Sequence, residues 1–120
     1  MKGGAICFAA ILIHGSALAQ EAGDPIAGQQ AFAACGSCHQ LGKNSVGPNL
    51  VGVVNRKAAS YPGYDYSPAL RNSHIVWDEV NLKEWLRKPS AKVKGTKMLF
   101  LGYQDDRKID DLISYLKTLR

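Results

Sequence analysis

Apolar residues recur at intervals of three and four near the C-terminus, at Ile109, Leu112, Ile113, Leu116 and Leu119. That spacing lines one face of an α-helix. The segment opens on Asp105 and Asp106 and closes on Lys117 and Arg120, so its charges complement the helix macrodipole at both ends. A second helix is predicted over DPIAGQQAFAAC, residues 24–35. Asp24 suits the N-cap, Pro25 suits the first helical position, and Ile26, Phe32 and the alanines favour continuation. Between these two, Leu82, Trp85 and Leu86 predict a shorter helix that stops before Pro89, and Ser67-Pro68 predicts a brief helical turn. The glycine- and proline-rich stretch from Gly42 to Gly63 reads as loops. The pattern is helical at both ends and loop-rich in the middle.

Gly28 interrupts the first helix and costs about 1 kcal/mol of propensity relative to alanine. Its missing side chain is expected to let the C-terminal helix cross closely. A chain of 120 residues and 13.0 kDa forms one domain with a modest core. Its many apolar side chains need a common object to pack against. The composition, 46% hydrophobic and 21% charged, excludes a disordered or low-complexity chain.

Residues 1–19, MKGGAICFAAILIHGSALA, place one lysine before an apolar run and end in Ala17-Leu18-Ala19. This reads as a cleaved signal peptide, cut after Ala19, ahead of a domain spanning 20–120. The apolar run is roughly a dozen residues, short for the ~30 Å hydrocarbon layer. Removing it takes Lys2 and leaves 14 basic against 10 acidic side chains. The exported chain is therefore basic, and Cys7 leaves with the leader.

Cys35, Cys38 and His39 form C-x-x-C-H, the attachment signature for c-type haem. Each thiol can add to a porphyrin vinyl group, and the adjacent imidazole is then held under the iron. A disulfide is the plain alternative for an exported pair of cysteines. A zinc ribbon needs a second ligand pair, yet the only later histidine is His74. A thioredoxin-like redox pair needs βαβ patterning, and no convincing parallel-strand runs are present.

Three further stretches follow in order: GPNLVGV at 47–53, RKAASYPGYDYSPAL at 56–70 and KPSAKVKGTKMLFLGY at 88–103. Together with C-x-x-C-H they resemble class I c-type cytochromes, in the branch of mitochondrial cytochrome c and bacterial cytochrome c2. The resemblance runs from about Gly23 to Leu119. It implies an all-α small cytochrome c fold, with terminal helices crossing and loops wrapped around one covalently bound haem c.

By that resemblance Cys35 and Cys38 carry the thioether bonds, and His39 and Met98 are the axial iron ligands. The Pro48 carbonyl accepts the His39 ring N–H. Arg56, Tyr66, Trp77 and Thr96 form the environment of the haem propionates. Leu50, Leu82, Leu86, Phe100 and Leu112 line the apolar pocket, while Phe32 and Tyr115 join the helix crossing. The chain departs from common family residues at three places: Trp85 stands in place of a tyrosine, Leu70 in place of an asparagine, and Asn55 in place of a glycine.

With both axial positions filled, the expected function is that of a soluble periplasmic electron carrier and not an enzyme. The alternative is a haem enzyme or gas sensor with a labile Met98. Lys43, Lys92, Lys94 and Lys97 are expected around the haem edge, facing acidic sites on redox complexes. The natural partners are a bc1-type reductase and a terminal oxidase, or a periplasmic dehydrogenase or reductase. Weak association with anionic membrane is a secondary expectation. Nucleic acid is not expected, because the lysines lack interleaved stacking aromatics. The protein is expected to be a monomer.

Overall fold

The computed structural model describes residues 1–13, 15 and 22–120; the expected cleavage point after Ala19 lies outside them. Among the described residues five helices follow in order: α1 Pro25–Phe32, α2 Pro68–Arg71, α3 Glu79–Arg87, α4 Pro89–Lys92 and α5 Asp106–Thr118. Among the described residues the only β-type pairing is an isolated antiparallel bridge between Lys57 and Val76. None of the helices among them is long and apolar enough to cross a membrane.

The helix starts follow local side-chain chemistry. Asp24, Ser67, Asp78 and Asp105 cap α1, α2, α3 and α5, each accepting backbone N–H groups of the first turn. Pro89 ends α3, as expected, but it also opens α4, where its fixed φ suits the first helical position. The sequence had shown only the stop. Helix α1 is shorter than the predicted 24–35. After Phe32 the chain tightens: the Cys35 N–H donates to the Phe32 carbonyl at 2.8 Å, and the His39 N–H donates to the Cys35 carbonyl at 2.8 Å.

Helices α1 and α5 cross at glycine. A Cβ on Gly28 would lie 1.9 Å from the Asp111 carbonyl oxygen and 2.8 Å from the Tyr115 Cβ. No side chain fits there, which bears out the close-crossing expectation. Phe32 and Tyr115 meet beside it with ring centroids 5.3 Å apart. The buried Asp111 carboxylate accepts the Asp24 backbone N–H at 2.7 Å and pairs with Arg107 at 3.1 Å. Ile109 and Leu112 of α5 are fully buried. Helix α3 lies against α5, with Lys83–Asp110 and Lys117–Glu79 ion pairs at 2.9 and 2.8 Å. Exposed pairs of this kind each contribute less than about 1 kcal/mol.

Asn55 takes φ +65°, the left-handed region that asparagine tolerates better than most residues. Its N–H donates to the Trp77 carbonyl at 2.8 Å, and the Trp77 N–H donates to Arg56 at 2.9 Å. The turn beside Arg56 therefore forms without a glycine.

Candidate cofactor pocket

The loops and helices enclose a cavity of about 400 Å³, within the ~300–1,000 Å³ typical of cofactor sites. Its wall gathers residues far apart in the chain: Cys35, Cys38 and His39 from the turn after α1, Pro48 and Arg56 from the following loops, and Thr96 and Met98 from the segment after α4. Tyr66 and Trp77 join them. All of the site residues singled out in the sequence thus border one space. Leu50, Leu82, Leu86, Phe100 and Leu112 line it as expected, as do Leu70 and Trp85.

The tight turn after α1 brings Cys35, Cys38 and His39 to the same wall. The two thiols are not bridged to each other, although an exported pair could have formed a disulfide. Burial, with a smaller contribution from Cys38, pushes the Cys35 thiol pKa up. His39 is buried, and its Nδ1 lies 2.9 Å from the Pro48 carbonyl oxygen. A carbonyl can only accept, so Nδ1 carries the proton and Nε2 keeps its lone pair. Burial lowers the imidazole pKa, against an opposing effect of the Pro48 bond. The ring is accordingly neutral at pH 7, the form that ligates a metal.

Gly47 was not singled out in the sequence. A Cβ there would lie 2.4–2.9 Å from three atoms of the His39 ring. The loop backbone is therefore packed flat against the imidazole. Met98 also lines the cavity and packs against the core cluster. Its N–H donates to the Thr96 hydroxyl at 3.3 Å. Tyr103 anchors the end of that segment: its N–H donates to Leu86 at 2.9 Å, and its hydroxyl donates to the Ala31 carbonyl of α1 at 3.0 Å.

Polar groups gather around Arg56. Arg56 donates to the Asn49 and Val51 carbonyls at 2.7 and 3.1 Å and lies over the Tyr61 ring. Burial lowers its pKa, with Tyr66 and Tyr61 acting the other way. Tyr66 is buried beside it, and Trp77 packs on Trp85 with centroids 5.1 Å apart. Val53, Tyr64, Ser67 and Leu116 also line the cavity, a position the sequence did not assign to them.

The expected lysine set is only partly free. Lys92 is drawn to Glu84 and donates to Asn81 at 2.7 Å, because α4 folds back on α3. Lys97 donates to the Asp65 carbonyl and sits 4.6 Å from the Tyr64 ring centroid. Lys43 and Lys94 are exposed.

Two thiols on a C-x-x-C-H turn, a neutral imidazole and a thioether around one apolar cavity define a protein that fits a covalently held haem. Comparison with known proteins agrees. A cytochrome c family model matches residues 26–120. Cytochrome c2 from Rhodoblastus acidophilus is 46% identical over 102 residues, which cover 82% of this chain and 95% of that protein. Cytochrome c2 from Blastochloris viridis is 40% identical over 115 residues, covering 93% and 91%. The solved structure of cytochrome cH from Methylobacterium extorquens matches with a TM-score of 0.79 and 52% identity, covering 80% of this chain and 99% of that one. The chain belongs to the cytochrome c family, with the small all-α fold of that family and one covalently attached haem c as cofactor. Its function at the family level is that of an electron carrier.

Proposed function

We propose that the protein is a soluble periplasmic carrier of single electrons, with Cys35 and Cys38 in thioether linkage and His39 and Met98 as axial ligands. The observation that supports this most directly is the pairing on one cavity of a neutral, backbone-anchored imidazole with a methionine on a segment tied at both ends. Haem supplies a one-electron ferric/ferrous couple when bound.

The chain's own residues do the rest. Pro48 fixes the His39 tautomer, and the leucines and tryptophans exclude water, which favours the less charged ferrous state. Arg56 and Tyr66, with Trp77 and Thr96, provide a polar end for the propionates, whose charge requires partners when buried. Lys43, Lys94 and Lys97 then favour acidic docking sites on redox complexes, such as a bc1-type reductase and a terminal oxidase. Residues 1–19 serve as the export signal, and the mature domain starts at Gln20.

The test is an absorption spectrum of protein produced with haem-maturation machinery. Sharp low-spin reduced bands, together with the weak far-red ferric band of iron–sulfur ligation, are expected. A high-spin ferric spectrum, or a stable carbon monoxide complex at neutral pH, would replace the carrier by a haem enzyme or gas sensor with a labile Met98.

A further inference from the structure

The Pro48 carbonyl that meets His39 belongs to a planar peptide group whose other polar atom is the Asn49 N–H. In a trans peptide these two groups point in opposite directions, so whatever holds the N–H also aims the carbonyl. The Asn49 N–H donates to Asn44 Oδ1 at 3.0 Å. A continuous chain therefore runs from the His39 Nδ1–H to the Pro48 carbonyl at 2.9 Å, through one peptide plane, to the Asn44 side chain. Proline restricts φ at position 48 and has no N–H of its own, which leaves rotation of this plane as the main freedom of the carbonyl.

The surrounding loop leaves that plane few alternatives. Asn49 is buried, and its Oδ1 accepts the Gly42 and Val51 N–H groups at 2.9 and 3.1 Å. Its carbonyl accepts Arg56 at 2.7 Å, and the Gly47 N–H donates to the Cys38 carbonyl at 2.8 Å. Asn44 has a second bond, from Nδ2 to the Pro62 carbonyl at 2.9 Å. The amide thus joins two loops with one end and steers a peptide plane with the other.

We propose that Asn44 is a positioning residue for the proximal ligand, acting through the Pro48–Asn49 peptide to aim and polarise the carbonyl that holds His39. The inference rests on His39 ligation as proposed above. Hydrogen bonds in series strengthen one another, and the second partner of a metal-bound histidine sets its orientation and basicity. Asn44 is the third member of this series.

Two variants separate steering from simple loop bracing. Asn44→Asp keeps the acceptor for the Asn49 N–H and loses the donor to Pro62, whereas Asn44→Leu loses both. In nitrogen-15-labelled holoprotein, solvent exchange of the His39 Nδ1–H is expected to be about fivefold faster in the leucine variant, the effect of one net hydrogen bond. The aspartate variant is expected to exchange no faster than the parent, because a charged acceptor bonds more strongly. Should the leucine variant not fold, Asn44→Ala is read the same way. Equal acceleration in both variants, or none in either, would overturn the proposal. A parent protein whose His39 resonances lack the hyperfine shift of an iron ligand would overturn both this inference and the ligation it rests on, so the two failures are distinguishable.

Discussion

Replacing Gly28 with alanine adds one methyl group where α1 meets α5, and its cost can be worked from the crossing. The new Cβ would lie 1.9 Å from the Asp111 carbonyl oxygen, 2.6 Å from its carbon and 2.8 Å from the Tyr115 Cβ, against 3.4 Å for ordinary contact. Two of these three atoms are backbone of α5, so no rotamer change relieves the clash; the helices must part by about 1.5 Å. Overpacking of this kind costs about 1–3 kcal/mol. Better helix propensity returns about 1 kcal/mol, an offset that leaves the upper part of the range as a net loss of about 2 kcal/mol. For a domain of this size that lowers Tm by roughly 8–16 °C. Thermal unfolding of fully haem-loaded protein measures it, with Gln29→Ala, an exposed site on the same helix, as the propensity control. A Gly28→Ala protein that melts at or above the parent temperature would refute the close-crossing argument.

Three more outcomes follow from individual contacts. Tyr103→Phe removes the bond to the Ala31 carbonyl, one of the unpaired acceptors at the end of α1, and is expected to cost about 1 kcal/mol in denaturant unfolding. Asp111→Leu leaves the Asp24 N–H without its acceptor and is expected to cost about 1–3 kcal/mol, whereas Asp111→Asn keeps an acceptor and should lose less than half as much. Burial raises the Tyr66 pKa, with Arg56 partly opposing. A folded pKa above the unfolded value of about 10 gives stability that is complete below pH 10 and is lost as pH climbs through the raised pKa. Denaturant midpoints of Tyr66→Phe should therefore fall less than those of the parent between pH 10 and pH 11; parallel curves would contradict that assignment.

The parts of the fold legible in the sequence are those with a period. Ile109, Leu112, Ile113 and Leu116 are all buried on α5, because a 3.6-residue repeat translates directly into a face. Leu82, Trp85 and Leu86 do the same for α3. Helix α1 was overextended because the propensity of Ala33 and Ala34 yields to the turn through Cys35 and His39. The Lys92 pairing was not legible because its partner, Glu84, lies on a different helix. That Cys35, Cys38, His39 and Met98 share one cavity was legible because they stand in recognisable motifs. Asn44, Gly47 and Asn49 support the same site through bonds to backbone, and a side-chain-to-backbone contact between loops leaves no periodic trace in the sequence.

This difference in legibility follows a physical division within the molecule. The terminal crossing joins α1 to α5 through a glycine contact, an aromatic pair and a buried carboxylate, none of which reaches the His39 hydrogen bond. The 42–51 loop is instead held by Asn44, Asn49 and Arg56 and meets His39 through the Gly47 backbone and the Pro48 carbonyl. Sites without shared partners have nearly additive effects. A Gly28 substitution should therefore lower the melting temperature and leave His39 Nδ1–H exchange unchanged, while Asn44→Leu should change that exchange, and the combined variant should show both effects at full size. Coupling between the two sites would mean that haem, bound between helices and loops, transmits strain from the crossing to the ligand.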